Sequence, residues 1–370
     1  MARLALIIAG MGPGGAERVM SNLANAWAAR SDHVSLITLA PPEPPPFFPL
    51  HPAIEYRPLG LMARSAGRVE ALRANLYRLV RLRRAIAAAR PDAVLSFGTE
   101  MNVLTVLATL GLGLLVVVSE RADPRHYPYG RSWRLLRRVT YPLADWVVVQ
   151  TKTVAALFGG GRRVVIIPNP LPTMMDAPTQ PPTTRPLATR PCIIAAGRMT
   201  AQKGFDLLLE AFSRVAADHP TWSLIILGDG EQRAALTNRA NAPDLAGRVL
   251  LPGVVDDPAA VMRGADLFML PSRFEGFPNV LCEAMACGLP VIAADCDSGP
   301  RDIVTDGVDG LLIPPDDIDA LAAALDRLLA DAALREKLAA AAPALSVRLA
   351  LPAILARWDA LLVPSLTKKD

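Results

Sequence analysis

The chain has 370 residues, 52% of them apolar and 20% charged, with a formal net charge of +4. That length exceeds what one hydrophobic core usually serves, so two domains are expected, and the apolar fraction excludes a disordered chain. The charge is split: residues 1–190 carry 23 Lys and Arg against 11 Asp and Glu, a net of +12, whereas residues 191–370 carry 16 against 24, a net of −8.

Strand and helix signals alternate from the start. Apolar Leu4–Ala9 leads through Gly12-Pro13-Gly14-Gly15 to a helix over Ala16–Ala29, then a strand over Val34–Leu39 and a proline-rich loop from Pro41 to Pro49. A helix over Ala66–Ala89, with six arginines between Arg68 and Arg84, precedes a strand over Ala93–Ser96. Val103–Val118 is the longest apolar stretch, but its 16 residues include Gly111 and Gly113. It falls short of the roughly 20 residues that span a bilayer and reads as a helix running into a strand over Leu114–Ser119. A second arginine group, Arg121 to Arg138, interleaves with Leu135, Leu136, Val139, Tyr141 and Trp146 to give an amphipathic face. That face suits an anionic membrane surface or plain solvent. No nucleic-acid-binding signature accompanies the arginines, so nucleic acid is not an expected partner. Strands over Val147–Gln150 and Val164–Ile167 close the first set.

Residues 171–191, rich in Pro and Thr, form a linker. A second alternation follows, with strands over Cys192–Ala196, Ser223–Leu227, Val249–Leu251, Leu267–Leu270, Pro290–Ala293 and Gly310–Ile313. Helices are expected over Phe205–Asp218, Pro258–Arg263 and Ile318–Ala330. The last helix, Leu351–Leu362 with Trp358, follows a break at Pro343 and is expected to return to the first domain. The organisation is therefore a domain of residues 1–170, a linker of 171–191, a domain of 192–343 and a C-terminal segment of 344–370. The fold class is α/β, with two doubly wound Rossmann-like units, each a parallel sheet covered by helices on both faces. Cys192, Cys282, Cys287 and Cys296 lack metal-ligand spacing and read as packing residues. With no secretory leader visible, a cytoplasmic location is expected.

Three segments carry chemistry. Glu275-Gly276-Phe277-Pro278-Asn279-Val280-Leu281-Cys282-Glu283 sets two carboxylates eight residues apart, one on a loop and one on the helix after it. Ionised carboxylates only accept hydrogen bonds, and sugar hydroxyls donate them. Gly197-Arg198-Met199-Thr200-Ala201-Gln202-Lys203-Gly204 joins a strand to a helix, and its two cations can converge on one polyphosphate. Together these segments point to a sugar nucleotide. Gly228-Asp229-Gly230 lies at a strand end, where its glycines leave room for a close ligand. Gly12 to Arg18 opens a helix whose N-terminus favours an anion, although its spacing is not the dinucleotide fingerprint. Asp295 and Asp297 have no well-placed third ligand, and no metal dependence is expected.

These residues resemble family 4 of the retaining glycosyltransferases, whose fold, GT-B, is two Rossmann-like domains facing a central cleft. The resemblance spans essentially the whole chain, and the Glu275–Glu283 motif is its most specific part. It implies that Arg198 and Lys203 hold the donor diphosphate, that Glu283 accepts from the ribose, and that Glu275 contacts the transferred sugar. It also implies that the Gly276, Phe277 and Asn279 amides lie near sugar and phosphate, and that Gly14 and Gly15 approach the donor phosphate. Gly228 joins this donor-binding set. The implied reaction retains configuration by front-face attack and needs no metal or other cofactor. Many members place a histidine after the central first-domain strand, where this chain has Ser119-Glu120-Arg121. That run with Asp123-Pro124 resembles a bacterial subgroup that builds surface polysaccharides and lipid-linked oligosaccharides. The implied partners are a nucleoside-diphosphate sugar (UDP-linked by expectation), a polyprenyl-diphosphate-linked glycan and the cytoplasmic face of the inner membrane. Glu120, Arg121 and Arg125 are the candidates for the acceptor or sugar side. A nucleotide-sugar epimerase and an inactive carbohydrate-binding or nucleotide-binding protein are the alternatives.

Overall fold

The computed structural model describes residues 1–62, 67–126, 130–159, 163–171 and 191–363. The expected linker, 171–191, lies almost wholly outside the described residues, as does Ala66, the expected start of the first arginine-bearing helix. The chain divides into two compact units: Met1–Pro170 with the segment from Leu351 onward, and Leu171–Ala350.

Unit 1 runs β1 (Arg3–Ile8), α1 (Gly15–Ala29), β2 (His33–Thr38), β3 (Glu55–Pro58), α2 (Arg68–Ala89), β4 (Ala93–Phe97), α3 (Thr99–Thr109), β5 (Leu115–Ser119), α4 (Arg131–Thr140), β6 (Trp146–Val149), α5 (Lys152–Ala156) and β7 (Val164–Ile166). Its seven strands pair in the order β3-β2-β1-β4-β5-β6-β7, and the ladders are parallel. The strands are near-continuous apolar runs because both faces are covered. On one face Ala5, Ile7 and Val94 pack on Leu82 and Ile86 of α2 and Met101 of α3. β3 was not expected: it is a polar, half-exposed edge strand that ends in Pro58, and edge strands tolerate such residues.

Unit 2 runs β8 (Cys192–Ala196), α6 (Phe205–Val215), β9 (Ser223–Leu227), α7 (Arg233–Ala240), β10 (Val249–Gly253), α8 (Pro258–Arg263), β11 (Leu267–Leu270), α9 (Asn279–Ala286), β12 (Val291–Ala294), α10 (Pro300–Ile303), β13 (Leu311–Ile313), α11 (Ile318–Ala330), α12 (Ala332–Ala341) and α13 (Ala344–Arg348). Its six strands pair in parallel as β10-β9-β8-β11-β12-β13. Phe205, Leu208 and Phe212 of α6 and Leu325 and Leu328 of α11 fill one side of the sheet. The short helix α13 packs against α9, so the segment that belongs to unit 1 begins at Leu351, not at residue 344.

The last helix, α14 (Leu351–Leu362), packs on α1, β4 and β5. Trp358 is buried, with its ring 6.1 Å from that of Phe97. Asp359 accepts from Trp27 Nε1 at 2.9 Å and from both terminal nitrogens of Arg30 at 2.5 and 2.7 Å. The stretch Ala332–Leu362 is long and apolar enough to cross a membrane by composition, with a mean hydropathy of 1.8 in its best window. It is nevertheless broken into helices of 10, 5 and 12 residues, each well short of the roughly 20 that a span requires.

Candidate active site

In unit 2 the C-terminal ends of β8, β9 and β11 gather the residues singled out in the sequence, at the edge where open parallel sheets bind ligands. The chain leaves β8 at Gly197, makes a 3-10 turn over Ala201–Lys203 and enters α6 through Gly204, whose φ of +65° is left-handed. A Cβ on Gly204 would stand 2.1 Å from the Pro271 carbonyl oxygen, so glycine is what lets this turn lie on the end of β11. Hydrogen bonds then join the two loops. The Arg273 amide donates to Gln202 O at 2.8 Å, Gln202 Nε2 donates to Phe274 O at 3.0 Å, and the Arg273 guanidinium reaches Ala201 O and Asp206.

Those bonds bring the Lys203 ammonium onto the Glu275 carboxylate, Nζ to Oε1 2.6 Å. Ser272 Oγ donates to the same oxygen at 2.7 Å, and Ser298 Oγ donates to the Glu275 carbonyl at 2.6 Å. Glu275 is 6% exposed, so it is not the loop-tip acid its glycine and proline neighbours suggest. The lysine stem lies over Gly197, where a Cβ would meet its carbons at 3.3–3.5 Å. An ammonium has three donors, so one bond to Glu275 leaves two for a phosphate. Arg198 is exposed and makes no ion pair among the described residues.

Helix α9 begins at Asn279 with Pro278 as N-cap and no side-chain cap hydrogen bond. Asn279 and Glu283 stand one turn apart on this helix, and Gly276, Phe277 and Glu283 are half-buried. Gly228 is required by the backbone itself. With φ +121°, its missing Cβ would sit 2.0 Å from Gly197 O, and one on Gly230 would sit 2.5 Å from Met199 O. The turn makes room for the chain itself, and Asp229 accepts from the Gly230 amide and pairs with Arg233.

In unit 1 the Gly12–Gly15 loop does open α1, with Gly14 as N-cap. The Glu17 carboxylate folds back over Gly14, 2.0 Å from where a Cβ would be, and covers that side of the glycine. At the end of β5 the three-residue run divides. Glu120 points inward and is 1% exposed: it accepts from Thr99 Oγ1 at 2.6 Å and Tyr141 OH at 2.8 Å, with Arg137 4.0 Å away. Burial raises its carboxyl above the usual range, while Thr99, Tyr141 and Arg137 pull it back. Glu120 is thus a core carboxylate and is withdrawn from the acceptor-side set. Arg121 stays half-buried, stacked on Phe97 at 4.2 Å and donating to Asn169 Oδ1 at 2.5 Å. Burial works against its charge, and Glu17 and Glu120 support it. Arg125 is tied to Asp123 at 2.6 Å. Burial would raise the Asp123 carboxyl, but the bonds from Arg125 outweigh that and hold it low.

Sequence reasoning missed Asn102, Ser272 and Ser298, and it set Tyr141 and Trp146 on the amphipathic face, whereas Tyr141 is fully buried and donates to Glu120 and Trp146 begins β6. Asn102 donates to Ser119 O and Tyr141 OH and accepts from Ser96. Its signal was a lone amide inside an apolar helix, which needs a partner when buried. The four cysteines are free thiols, and burial pushes Cys282, Cys287 and Cys296 up, so none is a poised thiolate. Among the described residues no group of three or more His, Cys, Asp or Glu is placed to hold a metal.

Two family profiles match the chain: a glycosyl transferase 4-like domain over residues 14–170 and glycosyl transferases group 1 over residues 190–331. The chain belongs to glycosyltransferase family 4. It is an enzyme of the GT-B class. It is 31% identical over 297 residues to an exopolysaccharide phosphotransferase of Streptomyces coelicolor, a match covering 79% of this chain and 30% of that longer protein. It is 27% identical over 340 residues to a Campylobacter jejuni α-1,4-N-acetyl-D-galactosaminyltransferase whose name specifies an undecaprenyl-diphosphate-linked acceptor, covering 91% and 92% of the two chains. The Anabaena HepE structure with UDP superposes with a TM-score of 0.76 at 19% identity, covering 98% of this chain and 100% of that one. The glycosyltransferase fold accounts for the parallel order of both sheets.

Proposed function

We propose that this glycosyltransferase moves a hexose or N-acetylhexosamine, with retention, from a UDP-linked sugar to a glycan carried on a polyprenyl diphosphate or related lipid. The observation that carries the donor half is the union of Lys203 and Glu275 at 2.6 Å: a phosphate-seeking cation and a hydroxyl-seeking carboxylate share one site. Arg198, Lys203 and the first amides of α9 receive the diphosphate, Glu283 the ribose and Glu275 the sugar. As the bond from C1 to the diphosphate breaks, the two cations offset charge growing on the leaving oxygen. The acceptor oxygen bonds to C1 on the same face, and its proton passes to the departing phosphate. No metal is required, because the cations supply that charge.

The acceptor half rests on unit 1 and on the names of relatives. Helix α4 exposes Leu135 and Val139 beside Arg131, Arg134 and Arg138, and α2, which also packs on α3, exposes Leu76, Tyr77 and Val80 beside Arg73 and Arg84. Apolar residues set among arginines suit an anionic leaflet, which supports a peripheral position on the cytoplasmic face of the membrane. Arg121 and Arg125 remain the acceptor-side cations.

The test is nucleotide release from UDP- and GDP-sugars with membrane lipid extract as acceptor. Nucleoside diphosphate release that is lost in Glu275→Gln and Lys203→Ala, with the fold intact, supports the reading. Release of nucleoside monophosphate would instead indicate transfer of a phosphosugar and would refute the glycosyl-transfer reading. Epimerised donor without acceptor would indicate an epimerase, and turnover unchanged in both variants refutes the site.

A further inference from the structure

The two bonds on the Glu275 carboxylate fall on one oxygen. Lys203 Nζ and Ser272 Oγ both donate to Oε1, at 2.6 and 2.7 Å, whereas Oε2 accepts from no side chain among the described residues. Ser272 is fully buried directly after β11 and Pro271, and Glu275 keeps a little exposure. The backbone of Glu275 is fixed independently by Ser298 Oγ on its carbonyl at 2.6 Å. Gly299, with φ +100°, packs so close that a Cβ there would meet Pro278 Cδ at 2.8 Å and Glu275 Cβ at 3.5 Å. The loop is therefore held from behind, and the carboxylate is held by one edge.

We infer that Ser272 is a positioning residue of the transferase: it anchors Oε1 so that Oε2 is presented to a hydroxyl of the donor sugar. This rests on the donor reading given above. The need for Ser272 follows from the double role of Lys203. When a diphosphate with two or more negative charges arrives, the ammonium is drawn toward it, and its bond to Glu275 lengthens or is shared. A lysine is a mobile point charge on a flexible stem and cannot by itself define a rotamer. A buried serine on the adjoining strand end can. Ser272 then remains as the donor that keeps Oε1 in place while Lys203 serves the leaving group. One oxygen is fixed by the protein and the other is left for substrate.

The experiment compares the full-length enzyme with Ser272→Ala, Glu275→Gln and the double variant, using UDP and GDP binding by calorimetry and nucleoside diphosphate release from a panel of UDP- and GDP-sugars. Loss of one hydrogen bond that orients a catalytic carboxylate is expected to lower kcat about tenfold. The Kd of the free nucleoside diphosphate should stay unchanged, since its grip does not pass through Oε2. In the Glu275→Gln background, Ser272→Ala should cost little more. Three results would each overturn the inference: unchanged kcat in Ser272→Ala, a parallel loss of nucleoside diphosphate affinity, or a full additional loss in the double variant. Failure of the donor reading itself is separately visible, because the wild-type enzyme would then release no nucleoside diphosphate from any sugar in the panel.

Discussion

Replacing Lys203 by Met tests whether the ion pair with Glu275 is an energetic unit. Methionine keeps the unbranched stem over Gly197 and removes only the charge. Glu275 is then left with Ser272 as its single partner, in a site where the two side chains are 17% and 6% exposed. Removing one member of a fully buried pair costs about 3–5 kcal/mol, and the residual bond from Ser272 with partial solvent access reduces this to roughly 2–3 kcal/mol. Glu275→Gln in the same chain removes the stranded charge, so the double variant should recover about 1 kcal/mol or more relative to Lys203→Met. The assay is urea unfolding of the four proteins at neutral pH, with peptide-resolved hydrogen exchange localising the loss to β11 and α9. Turnover should fall about 10²–10³-fold in Lys203→Met, the scale of losing one transition-state donor. Additivity of the two single effects to within about 0.5 kcal/mol would refute the coupling, as would exchange that is unchanged in α9.

Burial raises the Glu120 carboxyl, so the folded protein holds a proton there above the pH at which the unfolded chain releases it. Stability from this group is therefore fully present at low pH and is lost as pH rises through the folded value. Glu120→Gln should accordingly compare better with wild type at pH 8 than at pH 5 in urea midpoints, and a pH-independent difference would contradict the assignment. Gly228→Ala places a Cβ 2.0 Å from Gly197 O at a left-handed φ, so it should cost at least ~2 kcal/mol by urea unfolding, whereas Gly247→Ala, with φ +78° in open space, should cost clearly less. Asp359→Asn keeps an acceptor for Trp27 but loses the charge opposite the part-exposed Arg30. It should cost about 1 kcal/mol, a thermal midpoint lower by roughly 2–4 °C, and hydrogen exchange should show α14 loosening first.

Much of the architecture was legible because it is written in local periodicity. Buried parallel strands are short apolar runs between helices, and the expected bounds of β8, β9, β11, α8, α11 and α14 coincide with the observed ones. α6 ends at Val215, three residues before the expected end, and β3 was missed because an edge strand need not be apolar. The elements that carry the two charged segments were likewise legible. Spacing alone placed Glu275 on a loop and Glu283 a turn into a helix, and it put Arg198 and Lys203 on another strand-to-helix connection.

What the sequence determined by itself was which chemistry is available and on which kind of element it sits, since both depend on residue type and short-range pattern. Contacts between segments far apart in the chain were decided only by tertiary structure. Lys203 and Glu275 are 72 residues apart, and they meet because a glycine without a Cβ lets one loop lie on a distant strand end. Adjacent Glu120 and Arg121 looked equivalent in sequence. The alternation of side chains at the end of a buried strand turned Glu120 into the core, toward Thr99 and Tyr141, and left Arg121 half-buried on Phe97. The glycines of Gly228-Asp229-Gly230 proved to accommodate neighbouring backbone, because the space a missing side chain leaves is filled by whatever the fold packs there.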